Sequence, residues 1–339
     1  MKINILHTSL ILALFLVFNI FEARTQDPTF TQFYSNPVYL NPALAGSSGC
    51  PRVAINYRNQ WKSVASPFQT MAAGFDARLQ KSKRRSDGFF ALGLQVYNDQ
   101  TGDLSIRTSQ VSLSGAYHLN LGRNSTIGLG IYAGFGQRSI DGNNGRWGNQ
   151  YNGLAYDPSI LNGEPLPTAQ FSFKDAGAGT LYRYRKNNAG SQSWVVHSAT
   201  AGLGFFHVNR PFYSFLANEN ERLWMRYTIF GSAEISMKNT KTALVPLFFY
   251  QQQKSALECV YGASYRYYLK GSLSGKSASN NFLSFGLYNR WKDAMIGKVG
   301  FQMNQYQLNL SYDFTISDLS DLAKTQGAFE LSFSYLFGK

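Results

Sequence analysis

The sequence predicts an all-β fold: a transmembrane antiparallel β-barrel of about 14 strands, with an N-terminal segment that plugs the lumen or covers its periplasmic mouth. Three observations carry this expectation. Apolar and polar residues alternate with period two along much of the 339-residue chain. There are 26 Phe and 21 Tyr against 15% charged residues, where soluble domains carry about 25% charge. The chain also opens on an export signal, and no later apolar run approaches the roughly 20 residues of a membrane-crossing helix.

The signal comes first. Lys2 precedes an apolar run from Leu10 to Phe21, and Ala23 and Thr25 supply small residues before Gln26. Residues 1–25 are therefore expected to be a signal peptide. Residues 26–49 form an irregular segment, in which Pro28, Pro37 and Pro42 oppose a regular strand or helix. Phe30, Phe33, Tyr34, Tyr39, Leu40 and Leu44 in the same segment demand burial. Residues 50–339 are left for the barrel.

Alternation is clearest near the C-terminus. Tyr306, Leu308, Leu310, Tyr312 and Phe314 alternate with Gln307, Asn309, Ser311 and Asp313. Phe329, Leu331, Phe333, Tyr335 and Phe337 oppose Glu330, Ser332 and Ser334, with Leu336 the one exception. Leu283, Phe285 and Leu287 oppose Ser284, Gly286 and Arg290, and Ile127, Leu129, Ile131 and Phe135 oppose Gly128, Gly130 and Gly134. Apolar members should face lipid and polar members the lumen, so arginine at Asn309 should be far milder than at Leu310. The glycine row would let another segment approach the wall closely.

Strand-like segments fall near residues 52–61, 68–79, 88–98, 105–119, 124–137, 170–185, 192–208, 222–237, 241–252, 256–269, 281–291, 294–303, 305–316 and 327–338. An even count returns the chain to its starting side. Closure is required because an open edge in hydrocarbon leaves backbone groups unsatisfied, each at several kcal/mol. The longest connections are Ser139 to Thr168 and Val208 to Glu221. With a periplasmic N-terminus both fall outside the cell.

The formal charge is +13. A basic balance suits phosphate-rich partners, and an exported barrel meets membrane lipid and lipopolysaccharide before nucleic acid. The dense basic run Lys81, Lys83, Arg84 and Arg85 reads as a loop.

The chain has no recognisable catalytic or metal motif. His118, His197 and His207 have no Cys or carboxylate at metal-ligand spacing. His197 and His207 should share one strand face roughly 30 Å apart, with His207 in a girdle or anchoring a loop. No G-x-S-x-G elbow with partners appears. The glycines from Gly128 to Gly136 alternate as a strand face and precede no Lys-Ser or Lys-Thr, unlike a phosphate loop. Asp141-Gly142-Asn143-Asn144-Gly145 lacks the spaced carboxylates of a calcium loop. Cys50 and Cys259 sit outside any C-x-x-C pattern and are read as unpaired, a disulfide being the alternative. No metal, no cofactor and no enzymatic activity are expected.

The segment Gln26-Asp27-Pro28 through Phe33-Tyr34 to Asn36-Pro37-Val38-Tyr39-Leu40-Asn41-Pro42-Ala43-Leu44-Ala45-Gly46, followed by Tyr57-Arg58-Asn59-Gln60-Trp61, resembles the PorP/SprF family of Bacteroidetes outer-membrane proteins. Gly202-Leu203-Gly204-Phe205-Phe206-His207-Val208-Asn209, Arg290-Trp291-Lys292-Asp293-Ala294 and Ser311-Tyr312-Asp313-Phe314 extend the likeness over nearly all of residues 26–339. The resemblance implies a place in type IX secretion and gliding machinery. It implies as partners a secreted surface protein with a type IX C-terminal domain and periplasmic ring components. Phe33, Tyr34, Asn36, Pro37, Asn41, Pro42, Arg58 and Trp61 are its motif and plug residues.

Two functions of different class follow. One is a barrel that assists export of a secreted partner or anchors it at the surface. The other is a passive porin or small-solute channel. For the first, the long loops offer Arg146, Trp147, Tyr151, Tyr156, Arg210, Phe212 and Tyr213, residue types enriched in binding hot spots.

Overall fold

The computed structural model describes residues 27–62, 66–79, 88–141, 145–161, 163, 169–186, 194–215, 221–237, 240–269, 281–317 and 326–338. The signal-peptide segment and the basic run at 81–85 lie outside them. Fourteen strands are present: β1 (Arg52–Gln60), β2 (Phe68–Arg78), β3 (Phe89–Thr101), β4 (Ile106–Asn120), β5 (Ser125–Ile140), β6 (Ala169–Arg185) and β7 (Trp194–Phe206). They continue as β8 (Arg226–Met237), β9 (Thr242–Gln253), β10 (Ala256–Tyr268), β11 (Phe282–Arg290), β12 (Ala294–Met303), β13 (Tyr306–Thr315) and β14 (Gln326–Leu336). Each pairs antiparallel with its sequence neighbours, and β14 pairs with β1 in the register Arg52↔Leu336 to Gln60↔Ala328. The barrel is closed, which satisfies the ladder groups that an edge would leave bare. No helix among the described residues is long and apolar enough to cross a membrane.

Every expected segment holds a strand, and the differences lie at the ends. β8 begins at Arg226 rather than 222, because Arg222 instead bridges to Phe212 within the preceding loop. Its guanidinium sits 4.1 Å from the Phe212 ring centroid, a favourable cation–π arrangement. A bulge between Val196 and Ser198 shifts the β7 register at His197. His207 lies beyond the end of β7 with φ 56°. The two histidines therefore do not share one regular strand face.

The faces follow the alternation. Leu287 is 71% exposed, while Leu283, Phe285, Leu308, Leu310, Phe329, Leu331 and Phe333 also keep their outward positions. Ser284, Asn309, Ser311, Asp313, Glu330, Ser332 and Ser334 are buried on the inner side. Leu336, the apolar exception with inward parity, is buried as well.

That inner side is packed, which corrects one expectation. Asn309 is 1% exposed and donates to Ser332 Oγ at 3.0 Å. An arginine there would overfill a closed interior, so it cannot be the mild change that a water-filled lumen would allow.

The filling comes from the N-terminal segment, which lies inside the barrel rather than across its mouth. Pro37 and Pro42 do not exclude helix, since each starts a short turn. Pro37 is the first residue of α1 (Pro37–Leu40), and Pro42 begins a 3₁₀ turn to Leu44, both at the position where a missing N–H costs nothing. Phe33, Leu40, Ala43 and Leu44 join Leu181, Phe230, Leu247, Phe249, Val260, Tyr288 and Ile296 of the wall in one apolar cluster. Phe33 stacks on Phe249 with centroids 4.2 Å apart, and burying its ring contributes about 1.5–3 kcal/mol.

Arginine at Leu310, midway along β13 on the lipid face, should cost about 2–4 kcal/mol in urea titrations of the barrel folded into vesicles. Thr101→Arg, at the end of β3 beside the open mouth, should change stability by no more than about 0.5 kcal/mol. Equal losses would contradict the assignment of faces.

Candidate functional site

Three features form the candidate site: the plug anchored inside the barrel, an open vestibule above it, and the two long loops around that vestibule. The wall admits the plug through glycines. A Cβ added at Gly130 of β5 would strike the backbone of Pro42 and Ala43, and one at Gly179 of β6 would strike the side-chain oxygen of Asn41. Asn41 uses its whole amide. Its oxygen accepts from Ala43 N–H at 2.8 Å, and its nitrogen donates to the carbonyls of Leu203 at 2.7 Å and Thr180 at 3.3 Å. The short Asn-Pro motif thus caps its own turn and ties it to β6 and β7.

A buried ion cluster fastens the next stretch. Arg58, 2% exposed, reaches Asp313 at 3.1 Å and Glu330 at 3.2 Å. Arg290 reaches the same Asp313 at 3.0 Å, together with Glu258 and Asp293 at 3.0 Å each. Thr31 of the plug sits in the middle. Its N–H donates to Glu330 at 2.7 Å, its hydroxyl donates to Asp313 at 2.8 Å, and it receives Arg58 and Arg290. Gln32 N–H donates to the other Glu330 oxygen at 2.9 Å. Charges this deep persist only when paired and hydrogen-bonded, and here the plug completes the pairing.

A second anchor holds the start of the described chain. His207 is 3% exposed, with Nε2 2.5 Å from Asp27 and Nδ1 2.9 Å from Asp175. Two carboxylate neighbours call for two ring donors, which only the doubly protonated imidazole has. Arg226 also reaches Asp27 at 3.1 Å, while Tyr132 and Gln110 donate to Asp175 at 2.8 and 3.0 Å. His207 is therefore a plug anchor, not a girdle residue. His118 acts in the same direction, fully buried with Nε2 2.8 Å from the Ala45 carbonyl. Among the described residues no three His, Cys, Asp or Glu side chains are placed to hold a metal, and Cys50 and Cys259 are free.

Above the plug, at the end of the barrel with the long loops, lies a cavity of about 560 Å³. Asp27, Pro28 and Thr29 contribute to its floor, and Trp61, Phe68, Tyr213, Trp291, Arg138 and Gln253 to its walls. The sequence-predicted residues divide between its lining and the loops. Trp61, with φ 58°, packs edge-on against Phe68 at 4.9 Å. Tyr213 turns inward rather than onto an exposed loop, edge-on to Phe171 and Phe173, with Arg138 4.7 Å over its ring. The others stay on the loops in local pairs. Arg146 lies over Tyr156 at 5.4 Å, and Tyr151 bridges to Tyr156. Arg210 lies over Trp224 at 4.5 Å. Trp147 caps a short turn to Gln150.

The remaining motif residues sit in the plug. Tyr34 has Lys298 4.4 Å over its ring, and Asn36 is buried with both amide atoms unpartnered. The Asp27–His207–Asp175 anchor escaped the sequence reading. Its partners are far apart in the chain, and its one local signal is a histidine just past a strand end. Asp313 and Glu330 were more legible, being carboxylates in the middle of strands that otherwise alternate apolar with small polar residues.

Replacing Arg58 with leucine leaves Asp313 and Glu330 short of a partner, so stability to urea should fall by about 3–5 kcal/mol. Gly130→Val should push the plug off the wall. With Cys50 and Cys259 replaced by serine, Tyr34→Cys should resist thiol reagents in the otherwise unchanged barrel and react once Gly130→Val is added. Equal reactivity in both would mean that the plug is not held at this glycine.

A model of the type IX secretion system membrane protein PorP/SprF family matches residues 22–335. No curated protein matches the chain. Among solved structures, a Pseudomonas aeruginosa FadL homologue is 10% identical over 88% of this chain and 93% of that chain, with TM-score 0.44. The CymD monoaromatic hydrocarbon channel is 11% identical over 94% and 95%, with TM-score 0.41. The beta domain of the Bordetella autotransporter BrkA is 11% identical over 85% and 99%, with TM-score 0.35. Likeness at this level carries no statement of function. The family match spans almost the whole chain, so this protein, an outer-membrane β-barrel, belongs to the PorP/SprF family of type IX secretion system membrane proteins.

Proposed function

We propose that the protein is a plugged, non-enzymatic barrel that holds or helps export a secreted partner carrying a type IX C-terminal domain. The observation that carries this reading is the filled lumen. Thr31, Gln32, Asn36, Asn41, Arg58 and Glu330 are all buried inside a barrel whose plug is tied to β1, β6, β13 and β14. A passive porin needs a continuous water path, and these side chains stand across it. What stays open is the vestibule, a concave surface with aromatic and arginine side chains in its walls.

Long loops belong to the outer face in barrels of this kind, which puts the vestibule and the loops at 141–168 and 207–225 toward secreted proteins. Their arginine–aromatic pairs hold planar groups ready for contact, the residue types that dominate binding interfaces. The opposite rim, where β1 starts, then faces the periplasm and any ring components there. The basic charge of the barrel also suits lipopolysaccharide and lipid phosphate at its surface.

Replacing Trp147 to Tyr156 with a short Gly-Ser turn should leave barrel abundance unchanged, because the ring and backbone contacts described for this stretch lie within its own loop. The amount of secreted partner kept on the cells should fall severalfold. Normal retention by a normal amount of barrel would remove this loop from the proposed contact.

A further inference from the structure

The rim opposite the long loops carries a cluster of charge that neither the plug anchors nor the vestibule uses. Arg52 is the first residue of β1, Arg78 the last of β2, and Arg185 the last of β6, with Arg183 two residues before it. Strand alternation from the buried residues Ala54, Asp76 and Leu181 puts all four on the inner side. Two of them reach the turn that joins the plug to β1. Arg78 Nε donates to the Gly46 carbonyl at 2.9 Å, and Arg183 donates to the next carbonyl, that of Ser47. Arg185, Arg78 and Arg52 all lie within electrostatic reach of Arg183.

Compensation by the described residues is incomplete. Among the described residues, Asp76 is the one carboxylate bonded into this cluster, and both its oxygens are engaged, by Arg52 Nε at 2.9 Å and Gly46 N–H at 2.8 Å. Arg52 Nη2 is buried without a hydrogen-bond partner. The turn also keeps space beside the guanidiniums. Gly49 has φ 92°, and a Cβ placed there would come 3.6 Å from Arg78 Nη2. Arg78 is held from its other side by the ring of Phe89, 3.9 Å from centroid to guanidinium carbon.

We propose that this cluster is a phosphate-binding site, formed by Arg52, Arg78 and Arg183 around the Gly46–Cys50 turn, with Arg185 at its exposed edge. A dianion with three acceptor oxygens fits several converging guanidinium forks, whereas a single carboxylate would leave most of the excess charge in place. Because the arginines stand at strand ends, the phosphate is either that of a lipid headgroup reaching over the rim or a free one. Either would brace the turn on which the plug ends. The inference is independent of the partner proposed above.

The test is calorimetric titration of the full barrel in neutral detergent, in chloride buffer of fixed ionic strength. The probes are inorganic phosphate, dihexanoylphosphatidic acid and a hexaglutamate peptide. Saturable binding of phosphate and of phosphatidic acid is expected. It should be weakened at least about tenfold by Arg78→Gln with Arg183→Gln, and unaffected by Lys241→Gln at the same rim. If the double variant does not fold, Arg52→Gln alone should weaken binding. Tighter binding of phosphatidic acid than of phosphate would make the headgroup the source, and equal binding the free ion. The proposal is overturned if neither phosphate probe saturates, if Lys241→Gln weakens binding as much as the arginine variants, or if only hexaglutamate binds, which would mark the site for an acidic protein segment.

Discussion

The structure depends on how the Arg58 guanidinium is neutralised. It sits 2% exposed inside the barrel, and desolvating an unpaired guanidinium there would cost several kcal/mol. Asp313 and Glu330 come from the two C-terminal strands, and β14 closes the barrel against the strand that carries Arg58. The carboxylates in turn need donors: the main-chain N–H groups of Thr31 and Gln32 donate to Glu330, and the Thr31 hydroxyl donates to Asp313. Closure of the sheet and seating of the plug are therefore energetically coupled. Removing the plug would take two main-chain donors from Glu330 and the Thr31 hydroxyl from Asp313, and opening the seam would separate the charges.

The same constraint explains how the interior is both polar and filled. A wall of alternating residues gives every strand an apolar outer face for lipid and a polar inner face, and a polar inner face would ordinarily hold water. Here the plug brings side chains that match it position by position. Amides meet strand carbonyls at Asn41, hydroxyls and amides meet at Ser332 and Gln32, and aromatic rings meet the few inward apolar residues at Phe249 and Tyr288. Glycines in β5 and β6 bring the two backbones together where no side chain would fit. The match stops at Asp27 to Thr29, and above that level the cavity opens.

Most of the fold was legible because the signals for it are local. Period two places the strands and sorts Leu310 from Asn309 without any knowledge of neighbours, and closure follows from the membrane. The plug was legible as a demand: prolines against regular structure, aromatics against exposure. Its mode of attachment was not. Arg58 could be singled out, but its partners Asp313 and Glu330 lie more than 250 residues away, and the alternation that places them inward does not say that a plug residue lies between them. The inward turn of Tyr213 was not legible for a related reason. Loop residues have no periodicity to orient them, and only the tertiary contacts with Phe171 and Arg138 turn it toward the vestibule. A histidine at a strand end suggests an interface residue, whereas Asp27, 180 residues away in the sequence, draws His207 inside.

The central claim is that the plug, held by Arg58 and its carboxylates, seals the barrel. Planar-bilayer recording of the purified protein tests it most directly, comparing the wild type with a variant combining Arg58→Leu and Gly130→Val, in which both attachments are weakened. The account predicts an electrically silent wild type and discrete conductance steps once the plug is released. Steady, open conductance from the wild type would contradict it.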